Sequence, residues 1–453
     1  MRKRSQIKPI FTSLSPNVEK DDIVLVLSLI LKPWLWKSFS VFQRSSAIIN
    51  AEKTPNQTQN HAEELESKFK DYLGIKYALA FNSGRAAFLA ILKCLNFEPD
   101  SEILIQGFTC NAVVNPILTT GLKPIFVDID KNTLNINSID LERKISQKSR
   151  VVLVQHTFGL PANLEKIQII CQQHNLTLIE DCAHSLGAEY NGAKVGSFGK
   201  ATFFSFGRDK VISSVFGGLA ATNDDGLARK LKVFQENLPE PSCFWVFQQL
   251  LHPILTHFFV KPLYNFGEIG KWKLISLQKI GLLSKAVSKK EKQGELPTKS
   301  AKKMPEALAI LALNQFQKLE KFISHQRQIA DFYDKNLIGL ELDLPTNTES
   351  RIYLRYPVLL KSDNADMTSD KNNDTDIILD KARKEKIFLD DGWRKTVIVP
   401  PDTKQDKMNY RVGDCPIAEK VAANIINLPT HINISKEKAQ RVIDFLKNYR
   451  NGD

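Results

Sequence analysis

The sequence predicts an α/β protein: a large domain on about seven mostly parallel strands, then a smaller α+β C-terminal domain. Three observations predict it. Short apolar runs (Tyr77–Phe81, Ile103–Gln106, Pro124–Asp128, Val151–His156, Thr177–Asp181, Ala201–Phe206 and Gly218–Thr222) alternate with stretches of helical or loop character, as strands and covering helices do in α/β sheets. The runs are nearly continuously apolar, as in strands covered on both faces. A chain of 453 residues with 43% hydrophobic content can bury one sizeable core and a second, smaller one.

The N-terminus, MRKRSQIKPIF, is basic, but no apolar core follows directly, which argues against a secretory signal. Asp21-Asp22 then lead IVLVLSLIL, which is too short to span a bilayer. It reads as a buried helix with acidic residues in its first turn, and Pro33-Trp34-Leu35-Trp36 begins a loop. The polar, Pro/Asn/Gln-rich stretch from Ile49 to Asn60 reads as a linker, so residues 1–60 form an N-terminal helix and linker.

Residues 61–240 form the large domain. Leu65, Phe69, Tyr72 and Leu73 recur at helical spacing, Gly74 ends that helix, and the first strand follows. Asn82-Ser83-Gly84-Arg85 is a tight strand-to-helix turn. The free N–H groups and dipole of such a helix start can hold a phosphate, although many such turns are only turns. Arg85 adds a charge able to pair with a phosphate bidentately.

The chemistry concentrates in ATFFSFGRDKVISSVFGGLAATND, where two apolar strands enclose a short polar loop carrying Lys210. Desolvating a lysine there lowers its pKa and frees its amine as a nucleophile, whereas a solvated surface lysine has no such role. Upstream, the run at Leu176–Ile179 delivers Glu180-Asp181 at its C-terminal end, the side of a parallel sheet where ligands bind. Asp181 is then either a buried functional carboxylate or a helix cap. His184 follows three residues later, and a structural histidine is its alternative. His156 and Phe158 end another strand on the same side and are expected to border the pocket.

These segments in this order, EDxAH, G-x-x-x-G-x-x-x-x-V-G-S-F-G, SF-x-x-x-K and GG-x-x-x-TND, resemble the DegT/DnrJ/EryC1/StrS family of fold-type I sugar aminotransferases, which depend on pyridoxal 5′-phosphate. The likeness runs from about Ile10 to the C-terminus, apart from insertions. It implies that Lys210 condenses with the cofactor aldehyde and later moves the substrate proton. Asp181 would keep the pyridine nitrogen protonated, His184 would sit at the ring oxygen, and Ser83, Gly84, Arg85 and Ser205 would hold the phosphate. Arg85 stands where relatives usually have threonine. Cys110, in GFTCNAVVNPIL, stands where relatives often place an aromatic over the ring, and a small buried residue is its alternative role.

From Ser242 the pattern departs from the family's short connection. Residues 241–300 read as an apolar, then basic insertion. The uncharged span Cys243–Val260 approaches membrane-spanning length, but Gln248, Gln249, His252, Pro253 and His257 weaken it. Aromatics beside Lys261, Lys271, Lys273, Lys289, Lys290 and Lys292 suit peripheral membrane contact through 243–292, the alternative being a helical insertion packed on the protein's own dimer. Residues 301–453 comprise a linking helix and the small domain. Leu308, Leu311, Leu313, Phe316 and Leu319 mark the helix, KSDNADMTSDKNNDTD is a polar connection, and DDGWRKTVIVPPD replaces a stretch that often contacts sugar in relatives. Pro429, Thr430 and His431 could approach substrate or form an ordinary loop.

Six cysteines without a C-x-x-C pair fit a reducing compartment and argue against a disulfide framework and a zinc site, so no metal is expected. The net charge of +12 favours anionic partners, but no nucleic-acid motif accompanies it. The resemblance implies a cytoplasmic homodimer that aminates a nucleotide-linked keto sugar for cell-surface polysaccharide synthesis, with glutamate as donor. Competing readings are a non-sugar or dehydration reaction on the same cofactor, and a non-catalytic membrane-associated scaffold. Retention of Lys210 opposes dehydration, because the family's sugar dehydratases carry histidine there.

Overall fold

The apolar runs pair into a seven-stranded sheet: β1 (Tyr77–Phe81), β2 (Glu102–Gln106), β3 (Lys123–Val127), β4 (Ser149–Gln155), β5 (Thr177–Asp181), β6 (Ala201–Ser205) and β7 (Gly218–Thr222). Their order is β1-β7-β6-β5-β4-β2-β3. Five neighbouring strands run parallel, and β7 lies antiparallel between β1 and β6. The computed structural model describes residues 8–38, 60–295, 300–346, 351–361 and 374–451. Most of the expected linker, Ile49–Asn60, and of the polar run, residues 361–376, lies outside them.

Alternate strand residues feed two cores, which explains the unbroken hydrophobicity of the runs. Leu104, Val152, Val154, Leu178 and Phe204 pack on one face with Phe69, Ile167 and Phe322. Ile105, Leu153, Ile179, Phe203 and Ala220 pack on the other with Phe88 and Val114. A third core joins the three-stranded sheet of β8 (Leu342–Asp343), β9 (Tyr356–Leu360) and β10 (Ile425–Leu428) to helices at 319–337 and 436–451, through Tyr333, Val358, Leu428 and Val442.

The first described residues tie these parts together. Ile10–Phe11 pairs in parallel with Ile387–Phe388. The Thr12 hydroxyl donates to the Asn427 carbonyl (2.8 Å), and the Asn17 amide donates to the carbonyls of Lys210 (3.1 Å) and Val211 (2.9 Å).

Two helices differ from expectation. Helix α1 (Lys20–Ile30) buries Val26 and Leu29, but Val24 is 67% exposed and the following Leu31 77%. Its sequence is apolar all round, so periodicity could not reveal an outer face. The helix expected across Leu308–Leu319 is divided into Glu306–Phe316 and Leu319–Leu337. The first piece is buried on nearly every side rather than amphipathic. At the break, Lys318 reaches both Asp21 and Asp22 of α1 at 2.8 Å.

Within the insertion, Cys243–Leu255 is helical and packs on α1, burying Val246 and Leu250. A second helix, Ile269–Lys279, joins a small core of Val260, Leu277 and Leu283. Phe258, Phe259, Phe266 and Trp272 remain exposed. Among the described residues, no helix is long and apolar enough to cross a membrane.

Candidate active site

The strand register fixes the site. Gln155 of β4 pairs with Asp181 of β5, which pairs with Phe203 of β6. One step further along, Ser205 pairs with Gly218, and Gly218 with Phe81. The C-terminal ends of β1, β4, β5 and β6 therefore converge with the start of β7, around a cavity of about 500 Å³. Ser83, Gly84, Arg85, Cys110, Asp181, His184, Ser205 and Lys210 all line it. The sequence thus placed its eight candidates around one space.

Ser83 caps the helix at 84–95 by accepting the Ala86 amide (3.2 Å), with the helix N-terminus facing the cavity. The turn presses against the neighbouring strands. A Cβ on Gly218 would lie 2.2 Å from the Gly84 nitrogen, and one on Gly84 would lie 2.8 Å from the Ser205 Cβ. Only glycine allows that approach.

Lys210 sits in the loop joining β6 to β7, its carbonyl held by Asn17. Protein encloses its amine except toward the cavity, and that desolvation lowers its pKa to about 8, against the opposing pull of Asp181 and Cys110. The Asp181 carboxyl is buried, and burial raises its pKa against the Ala183 amide, Lys210 and His156. One of its oxygens accepts that amide at 2.9 Å.

His184 Nδ1 accepts the Phe158 amide (3.4 Å), so Nε2 carries the proton. Its ring stacks on Phe158 (5.6 Å, 10°) and meets Trp393 edge-on (4.7 Å). Burial, with Lys210 and Arg355 adding like charge, holds it neutral. Cys110 caps the helix at 111–119, and burial raises its pKa, keeping it a thiol.

Arg85 departs from expectation. Its guanidinium pairs with Glu291 of the insertion and donates to the Ala286 carbonyl (2.9 Å). The charge expected for a phosphate already has a carboxylate. Glu291 is itself fixed, its side chain accepting the Ser288 amide (2.7 Å) and its carbonyl accepting Asn115 (2.9 Å).

His156 and Phe158, expected at the pocket border, do not line it. His156 is fully buried, and its Nε2 faces Glu180 at 3.2 Å. Glu180 also accepts the amides of Gly196, Phe198 and Gly199 at 2.7–2.8 Å. His156, Glu180 and Cys182 lie close enough to hold an ion. The carboxylate is already saturated, and His156 Nδ1 accepts the Ala162 amide (3.1 Å), so the trio works as an internal clamp. Thr430 and His431 likewise turn away from the cavity, to the carbonyls of Tyr353 (2.5 Å) and Phe11 (2.9 Å).

Sequence reasoning missed Arg208, Lys285 and Arg355 as cavity residues, whereas Trp393 lies in DDGWRKTVIVPPD, the stretch singled out where relatives often contact sugar. Arg355 left one signal, a charge at the head of the apolar run Tyr356–Leu360. It pairs with Asp391 at 3.0 Å, the two side chains being 5% and 3% exposed.

Comparison with known proteins agrees with this architecture. GDP-perosamine synthase of Caulobacter vibrioides is 24% identical over 384 residues, covering 84% of this chain and 87% of that protein. Helicobacter pylori PseC, an aminotransferase involved in pseudoaminic acid biosynthesis, superposes with a TM-score of 0.70 at 21% identity, covering 98% of this chain and 100% of its own. The PLP form of Spr1654 from Streptococcus pneumoniae, a sugar aminotransferase by description, gives 0.71 at 18% identity, covering 98% and 99%. The profile of the DegT/DnrJ/EryC1/StrS aminotransferase family matches residues 43–239 and 270–447, leaving out the first part of the insertion. The chain belongs to that family.

Proposed function

We propose that this protein is a pyridoxal 5′-phosphate-dependent aminotransferase converting a nucleotide-linked keto sugar to an amino sugar, with glutamate as donor. The observation that carries the reading is the Lys210 amine, brought to a pKa of about 8 in a cavity it shares with Asp181. Bound pyridoxal phosphate supplies an electron sink that stabilises negative charge at the substrate carbon.

The donor set fits that group. The helix N-terminus at Ser83-Gly84 and the Ser205 hydroxyl suit its phosphate, Asp181 its ring nitrogen, the His184 Nε2–H its phenolic oxygen and Lys210 its aldehyde. Asp181 then balances the charge of a protonated ring nitrogen, which draws the carboxyl back toward ionisation. His184 contributes a hydrogen bond without a charge. With its amine free, Lys210 would hold and return the proton at the substrate carbon, a task suited to an amine titrating near neutrality.

The sugar substrate is supported by the named activity of the Caulobacter relative. A homodimer is supported by the apolar surface left exposed on α1 and the insertion. A cytoplasmic setting is supported by six free cysteines.

The test is the absorption spectrum of the protein with pyridoxal phosphate, wild type beside Lys210→Ala, before and after glutamate. A visible band that requires Lys210 and is bleached by glutamate is expected. Wild-type protein without such a band would overturn the reading.

A further inference from the structure

Among the described residues, three guanidinium groups line the cavity, and two face a carboxylate. Arg85 pairs with Glu291, and Arg355 with Asp391. The third, Arg208, stands two residues before Lys210 and has no carboxylate within ion-pair distance among the described residues. Its neighbour Asp209 is turned to the Ser15 amide (3.2 Å).

The Arg208 side chain is nonetheless held in place. One Nη donates to the Ser284 hydroxyl (2.5 Å), which donates to the Gln249 side-chain amide oxygen Oε1 (2.8 Å), and the guanidinium lies 5.4 Å from the Phe216 ring centre. Its Nε is buried and has no hydrogen-bond partner. A largely enclosed cation with no carboxylate partner is costly unless an anion balances its charge. Lys285, adjacent to Ser284, adds a second positive group to the same cavity wall.

We propose that Arg208 and Lys285 form an oxyanion subsite for a phosphate group, with Ser284 and Gln249 of the inserted segment as positioning residues. This rests on the aminotransferase reading above. The phosphate belongs either to the cofactor or to the diphosphate of a nucleotide sugar, and the chemistry of recognition is the same. Arg85 cannot serve equally, because its charge is already spent on Glu291. The subsite gives the inserted region a direct part in ligand binding: Gln249, on the helix outside the family match, and Ser284, in the turn that follows residues 269–279, aim a side chain of the loop that carries Lys210.

The experiment compares wild type with Arg208→Met, Arg208→Lys and Lys285→Ala. Pyridoxal phosphate is titrated into the apoprotein by fluorescence, and UDP, GDP and dTDP into the cofactor-loaded protein by calorimetry. Loss of a charged hydrogen bond predicts that Arg208→Met weakens one of these affinities by about tenfold to a hundredfold, with Arg208→Lys in between. A loss confined to pyridoxal phosphate identifies the cofactor phosphate, and a loss confined to the nucleoside diphosphates identifies the substrate. Unchanged affinities for both overturn the proposal. Should Arg208→Met not fold, Arg208→Lys and Lys285→Ala carry the same test. Failure of the aminotransferase reading would look different, since wild type itself would give no Lys210-dependent band.

Discussion

The reactivity of Lys210 is set by opposing effects on one nitrogen. Enclosure favours the neutral amine, and the Asp181 carboxylate favours the ammonium. Because the folded pKa is lowered from 10.5 to about 8, the nucleophilic form grows as pH rises through about 8 and is lost below it. The rate at which apoprotein reacts with pyridoxal phosphate is therefore expected to climb between pH 7 and 9 with a midpoint near that value, as stopped-flow absorbance can record. Asp181→Asn removes the carboxylate that raises the pKa, so the midpoint should move down. A midpoint that moved up, or stayed, would show that Asp181 does not act on the amine.

At the scale of elements, the inserted segment is joined to the phosphate turn through Arg85 and Glu291, whose side chains are 18% and 7% exposed. Breaking one side of a largely buried pair strands the other charge. Glu291→Gln is expected to lower unfolding free energy by about 2–3 kcal/mol, discounted for the partial access of Arg85. A denaturant series with Arg85→Gln and the double variant checks this. The double variant should be less destabilised than the sum of the singles, and additive effects would mean that the two do not interact. Such cross-connections leave no trace in local periodicity, because Arg85 and Glu291 lie far apart in the chain and the turn pattern around Arg85 points to a phosphate, not to a carboxylate.

The whole molecule shows where sequence reading succeeds. The seven strands were legible because each is covered on both faces and so reads as an apolar run. The eight cavity residues were legible chiefly through the family resemblance, whose motifs sit at strand ends and in short loops. Arg208 and Arg355 were not, since their places depend on tertiary packing between segments remote in sequence. The outer face of α1 was hidden for a related reason: a second molecule or a lipid surface leaves the same apolar signature as a core. With Val24, Leu31, Phe258, Phe266 and Trp272 exposed, sedimentation velocity should find a dimer at micromolar concentration. Trp272→Glu with Phe266→Glu should shift it toward monomer if the insertion forms the interface. Pelleting of wild type with anionic vesicles at low salt, lost in that variant, would instead assign the insertion to lipid.

The strap at Ile10–Asn17 has a practical bearing on how the protein moves and is handled. It crosses from the small three-stranded sheet to the backbone of Lys210, bonding to both. Rotation of the C-terminal portion would pull on the loop that holds the reactive amine. Trimming the chain past Asn17 would slacken Lys210 itself, at a distance from the cut that a linear map of the protein would never suggest.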